Sequence, residues 1–220
     1  MLTNMKVNAS SIFPTMAGKT GAGAIEQMGV SMNLKRDAEI YGENEPAEYL
    51  YKVVSGAVRT SRILADGRRQ IGAFFLPGDV FGLESGMAHA FSAEAIAESR
   101  VLVIKRSALA ALAARDNTVA QEFLTITNRE LARLQQHVMV LIKTAEERVV
   151  GFLFEMAARV SGKNLVELPM SRRDIADYLG LTIETVSRTM SHLEDIAAIE
   201  LQSKRRIILR NRGVLGTLNG

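Results

Sequence analysis

Residues 171–193 read SRRDIADYLGLTIETVSRTMSHL, a run compatible with few backbones. Ser171 stands three residues ahead of Asp174, the spacing of a capping box, in which a hydroxyl satisfies an orphan N–H of a helix's first turn. Ile175, Ala176 and Leu179 give that helix an inward face, and Ala176 is small where a second helix has to cross closely. Gly180 follows, at a helix end where a left-handed backbone favours a residue without Cβ. Thr182 can cap a second helix, whose Val186, Met190 and Leu193 fall at buried, helical spacing. Ile183, Glu184, Ser187 and Arg188 then point outward over its first two turns. A helix-turn-helix places such positions against base edges. The plain alternative is a surface helical hairpin, in which Glu184 favours a helix N-terminus and Arg188 is simply solvated.

The segment that follows favours the first reading. Ile199-Glu200-Leu201-Gln202-Ser203 and Ile207-Ile208-Leu209 form short strand-like runs around Lys204-Arg205-Arg206. That predicts a β-hairpin with a basic tip, the wing of a winged helix, its cations placed where a duplex phosphate would pass. Residues 203–212 carry Lys204, Arg205, Arg206, Arg210 and Arg212 with no acid among them. This local cluster says more about an anionic partner than the net charge of +3.

Glu184-Thr185-Val186-Ser187-Arg188 resembles the E-x-x-S-R signature of the FNR branch of the CRP/FNR transcription regulators. From about residue 30 to its end the chain is similar to that superfamily. YGENEPAEYLYKVVSGAVRT and DGRRQIGAFFLPGDVFGLES are most similar to the FixK group, whose members resemble FNR without the cysteines that hold an iron–sulfur cluster. The resemblance implies an α+β fold: an N-terminal double-stranded β-roll of the jelly-roll, cyclic-nucleotide-binding-like type, a long dimerisation helix and a C-terminal winged helix-turn-helix. It also implies a homodimer on double-stranded DNA at TTGAT, a short spacer, then ATCAA. It implies contact with RNA polymerase through exposed loops, of which Ser161-Gly162-Lys163-Asn164 is similar in position to one activating surface. Relatives of this type respond to low oxygen through an upstream two-component system that controls their synthesis.

Groove chemistry then assigns roles. Arg188 is expected to donate to guanine O6 and N7, Glu184 to accept from a cytosine N4 amino group, and Ser187 to touch a neighbouring thymine. Arg172 and Thr182 at the helix starts, with Lys204 and Arg205 on the wing, are the expected phosphate contacts. Ile183 stands where CRP-type readers carry an arginine, which reduces demand for their extra guanine.

Organisation along the chain is as follows. Residues 1–29, rich in Ala, Gly, Ser, Thr and Met, are expected to form a loosely ordered arm. Within it Gly18-Lys19-Thr20 is no P-loop, because Phe13 stands where that motif needs glycine. Residues 30–115 contain short apolar runs (Tyr49 to Val54, Ala57 to Leu64, Gln70 to Leu76, Val101 to Lys105), with Asp66-Gly67 a hairpin turn and Ser107 to Ala114 a short helix. Residues 116–143 are expected to be the dimerisation helix. There Ala120, Leu124, Thr127, Leu131, Leu134, Val138, Leu141 and Ala145 recur at steps of four and three, a heptad seam weakened by Thr127. A helix packed only on its own sandwich is the alternative. Thr144 with Glu147 caps a fresh helix and opens the DNA-binding domain, residues 144–220.

Other functions are poorly supported. With no cysteine, disulfides, thiolate-bound zinc, a cysteine-ligated cluster and thiol redox sensing are excluded. No G-x-S-x-G elbow or paired-carboxylate motif suggests an enzyme. No apolar run suits a signal peptide or a bilayer span, so no membrane association and a cytoplasmic location are expected. For cyclic nucleotides, Leu83 follows the Pro77-Gly78-Asp79-Val80-Phe81-Gly82 turn where the superfamily's phosphate-binding glutamate is expected. Phe91-Ser92-Ala93 replaces the Arg-Ser pair, removing a charge-assisted bond worth about 1.5–3 kcal/mol. His89 and His137 could in principle ligate haem iron, while His192 falls on the second helix of the motif. No cofactor or metal is expected; a β-roll gated by a small molecule or haem is the competing reading.

Overall fold

Period-two burial turns the first half of the chain into two facing antiparallel sheets. The computed structural model describes residues 23–159 and 164–219. After a short helix α1 (Ala24–Gln27) come β1 (Val30–Leu34), β2 (Glu39–Tyr41), β3 (Tyr49–Ser55), β4 (Val58–Ile63), β5 (Arg69–Phe75), β6 (Val80–Phe81), β7 (Ser92–Ala95) and β8 (Ser99–Lys105). One sheet runs β1-β8-β3-β6 and the other β2-β7-β4-β5, the two walls of the predicted roll. The four predicted apolar runs are β3, β4, β5 and β8, and the β4–β5 hairpin turns at Asp66-Gly67, with Gly67 at φ +81°. Between the walls Tyr51 stacks on Phe81 at 5.1 Å, Phe75 packs on Phe81 at 5.1 Å, and His89 lies flat on Tyr41 at 3.5 Å. Aromatic side chains fill this part of the interior.

The expected loose arm needs correcting at its end. Residues 1–22 and the Gly18-Lys19-Thr20 tripeptide lie outside the described residues, but Ala24–Gln27 is helical. Ile25 is 1% exposed in a cluster with Leu50, Ile104, Leu109 and Val119, so one buried side chain anchors this turn to the roll.

A short helix α2 (Arg106–Ala113) leads to α3 (Asn117–Leu141), a single 25-residue helix capped by Asp116 accepting from Thr118 N–H. One face of α3 packs Val119, Phe123 and Ile126 on the roll. Farther along, His137 stacks on Tyr178 at 4.0 Å, and Val140 packs against the C-terminal core. The predicted seam lies elsewhere on the cylinder: Leu124, Leu131, Leu134 and Val138 are 45–60% exposed, and Leu141 is half-buried. Packing on its own roll therefore occupies one side of α3 and, among the described residues, leaves the middle of the seam from Leu124 to Val138 exposed.

At Thr144 the side chain of Glu147 accepts from both the backbone N–H and the hydroxyl, the expected capping arrangement, and α4 (Ala145–Arg159) starts there. It is followed by β9 (Leu165–Glu167), α5 (Arg172–Leu179), α6 (Ile183–Asp195), β10 (Ile199–Leu201), β11 (Arg206–Leu209) and α7 (Arg212–Asn219). The core of this half joins Phe152, Leu153 and Met156 to Ile175, Leu179, Val186, Met190 and Leu193. Ala57, Ile71, Phe74, Leu76 and Ile96 of the roll belong to the same cluster, so the two halves share buried surface.

Gly180 ends α5 at φ +63°, ψ +38°, the left-handed region. A Cβ there would meet Arg148 Nη1 at 3.6 Å, ordinary contact, so the constraint is backbone strain alone. Gly180→Ala is expected to lower stability by about 1–2 kcal/mol without altering the fold, read from urea melts followed by circular dichroism. An unchanged midpoint would show that the turn tolerates a side chain freely.

Candidate nucleic-acid interface

The helix-turn-helix is built as its residues dictate. Ser171 Oγ accepts from Asp174 N–H at 3.1 Å, and Asp174 Oδ2 accepts in return from Ser171 N–H at 2.9 Å, a complete capping box for α5. Thr182 Oγ1 accepts from Thr185 N–H at 3.1 Å and caps α6. Ala176 is buried where α5 and α6 pack together.

With Val186, Met190 and Leu193 buried, the opposite face of α6 is presented to solvent. Glu184, Ser187 and Arg188 are exposed, and neither charged residue pairs with another charge among the described residues. A free carboxylate and a free guanidinium one helical turn apart can respectively accept from a cytosine amino group and donate to a guanine edge. Ile183 departs from expectation: it is half-buried against the core, because the first turn of α6 leans on its own domain. His192 lies 3.5 Å from Glu146 Oε1 on α4 and so turns toward its own domain.

The wing is the β10–β11 hairpin, and β9 extends it to a three-stranded sheet. The sequence reading missed β9 because Leu165–Glu167 is too short to show a period; its partner β11 recruits it. The five cations of this segment are not equivalent. Arg206 bonds Glu167 at 2.8 Å and Arg210 bonds Glu200, so both are neutralised within the sheet. Lys204 and Arg205 are exposed at the tip and pair with no carboxylate among the described residues.

The expected phosphate contacts at the helix starts divide. Thr182 is exposed. Arg172 is half-buried, its Nη1 enclosed without a hydrogen-bond partner. Burial draws its pKa below the usual guanidinium range, with the nearby Glu194 opposing that shift. Arg173, which sequence reasoning passed over, is the exposed cation of this turn. Helical phase could have separated them: Arg172 precedes Ala176 by one turn on the buried stripe.

In the roll, the positions expected to hold a cyclic phosphate are otherwise engaged. Leu83 packs against the cluster around Ile104, and the Phe91 ring lies over Gly72, close enough that a Cβ there would meet it at 3.0 Å. Glu84, next to Leu83, faces inward between Arg106 and His89, both at 3.2 Å. His89 and His137 each lie flat against a tyrosine. Burial, and then Arg133, hold His137 down to about 4, so it is neutral near pH 7. The described residues contain no group of three or more His, Asp or Glu able to hold a metal ion, and no helix long and apolar enough to cross a membrane.

Comparison with known proteins agrees with both halves. Residues 31–116 match the cyclic nucleotide-binding domain model and residues 147–218 the Crp-like helix-turn-helix domain model. The nitrogen fixation regulation protein FixK of Azorhizobium caulinodans is 47% identical over 204 residues, covering 90% of this chain and 82% of that protein. FixK of Rhizobium meliloti is 40% identical, covering 84% of each. The structure of FixK2 from Bradyrhizobium japonicum superposes with a TM-score of 0.83 at 51% identity, covering 87% of this chain and 98% of that one.

Proposed function

The chain belongs to the CRP/FNR family of transcription regulators and is most similar to FixK proteins, and from that premise we propose that it acts as a homodimeric activator at a TTGAT-spacer-ATCAA palindrome. Each subunit reads one half-site. The observation that carries this reading is the unpaired, exposed triad of Glu184, Ser187 and Arg188 on the outer face of α6. Arg188 takes the guanine, Glu184 the cytosine of the same base pair, and Ser187 the adjacent thymine.

Thr182 and Arg173 flank the base-reading face, and Lys204 and Arg205 reach phosphates from the wing. Arg172, half-buried beside Glu194, supports α5 and contributes at most its field. Dimerisation uses Leu124, Leu131, Leu134, Val138 and Leu141, an apolar strip on α3 whose first four residues are exposed among the described residues and whose last is half-buried. RNA polymerase is the second partner. Of the loop similar to a family activating surface, Ser161, Gly162 and Lys163 lie outside the described residues. The response served is to low oxygen, and the names of the FixK relatives support a role in nitrogen fixation.

Selection of bound sites from random duplexes, done in air on ligand-free protein, tests motif, symmetry and independence from an effector together. The palindrome should emerge; a pool without dyad symmetry would reject the reading. Arg205→Ala should weaken binding to all duplexes alike and make the log–log salt dependence shallower by about one unit. An unchanged slope would remove the wing from the contact surface.

A further inference from the structure

The roll and the DNA-binding half meet across a charged seam to which DNA reading assigns no role. Arg59 on β4 donates through Nε and Nη2 to Glu94 Oε2 on β7 at 3.1 and 2.8 Å, and through Nη1 to Asp174 Oδ1 on α5 at 2.8 Å. Arg69, first residue of β5, donates to the same Asp174 oxygen at 2.6 Å and through Nε to Asp177 Oδ2 at 2.8 Å. Asp174 is thereby divided oxygen by oxygen: Oδ2 accepts from the N–H and hydroxyl of Ser171 in the capping box, while Oδ1 takes both arginines of the other domain. Only 7% of this side chain is exposed, against 14% for Arg59. A second tie lies at the end of α4, where Arg159 Nη2 bonds Asp79 Oδ2 at 2.5 Å and the Phe74 carbonyl at 2.7 Å.

Between these ties the contact is apolar, with Phe74 of β5 packed on Tyr178 and Phe152 at ring distances of 5.1 and 6.3 Å. Apolar burial is non-directional and permits one surface to slide over another. Planar guanidinium forks meeting a carboxylate already held by a helix cap define an angle as well as a distance. Registry, more than net stability, is the best-attested use of such buried ion pairs.

We propose that Arg59 and Arg69 are positioning residues, which clasp the first helix of the helix-turn-helix to the roll and so set the separation of the two reading helices. No effector is then needed to hold the spacing of the half-sites. The consequence for spacing rests on the dimeric DNA-binding reading above; the fixed orientation does not.

The absence of native cysteine permits a direct measurement. Spin labels at Glu39→Cys on β2 and Asp195→Cys on α6, both exposed, report the distance between the two halves of one protomer when the labelled chain is mixed with excess unlabelled chain. A narrow distribution is expected, at least doubling in width in the Arg59→Met/Arg69→Met variant, with folding checked by a cooperative melt. On DNA, one base pair added to the spacer should cost the unmutated chain roughly 100-fold in affinity, and the variant less than about tenfold. If the double variant does not fold, Arg69→Met alone, at the more exposed end, is read in the same two ways. An unchanged narrow distribution in the folded variant would overturn the clasp whatever happens on DNA. Failure of the unmutated chain to prefer the palindrome over a scrambled duplex would overturn the DNA reading instead, and the label distances would still decide the clasp.

Discussion

Arg188→Ala should erase the preference for a TTGAT half-site over a scrambled one while leaving weak, salt-sensitive binding to any duplex. Its guanidinium is exposed on α6 and makes no ion pair among the described residues, so the substitution removes donors from this face without disturbing the core formed by Val186, Met190 and Leu193. A bidentate guanine contact discriminates by about 1–3 kcal/mol, and two half-sites double that, which takes specific binding close to the nonspecific level. Competition titrations at one fixed salt concentration measure it. A variant that keeps the preference would place sequence reading on other residues.

A second large effect is expected from Leu131→Glu combined with Leu134→Glu. Both leucines are about half exposed on α3, away from the face that packs on the roll, so the monomer should remain folded. Sedimentation should then report a monomer, and operator affinity should fall by roughly 10²–10⁴-fold, the avidity lost when half-sites are bound independently. A variant that still sediments as a dimer would mean that another surface joins the subunits. The exposed Met139 on the last turns of α3 and Ile142 at its C-cap would be the first alternative to examine.

Much of this protein was legible in its residues because the relevant interactions are local. A capping box spans Ser171 to Asp174, a left-handed turn needs Gly180, and the inward stripe of α6 repeats every turn. Each depends on atoms within a few positions along the chain, so spacing alone predicts it. The heptad strip of α3 is legible for the same reason. The strands β6 and β9 were not: two and three residues long, they are too short to show a period and exist because a longer neighbour pairs with them, and the alternation of β7 spans only four residues. The status of the cations was equally hidden. Arg206 and Arg210 look like Lys204 and Arg205 in the sequence, yet carboxylates on neighbouring strands claim the first two, whereas the others pair with no carboxylate among the described residues.

The order of the residues was sufficient to specify a winged helix-turn-helix, the outward face of Glu184, Ser187 and Arg188 on α6 and the apolar strip on α3, since helical periodicity and capping act over a turn or two of backbone. Only folding decided which arginines remain available to DNA and how the reading head is held against the roll. Arg59 and Asp174 are separated by 115 positions, and no local rule predicts that their side chains will share a hydrogen bond.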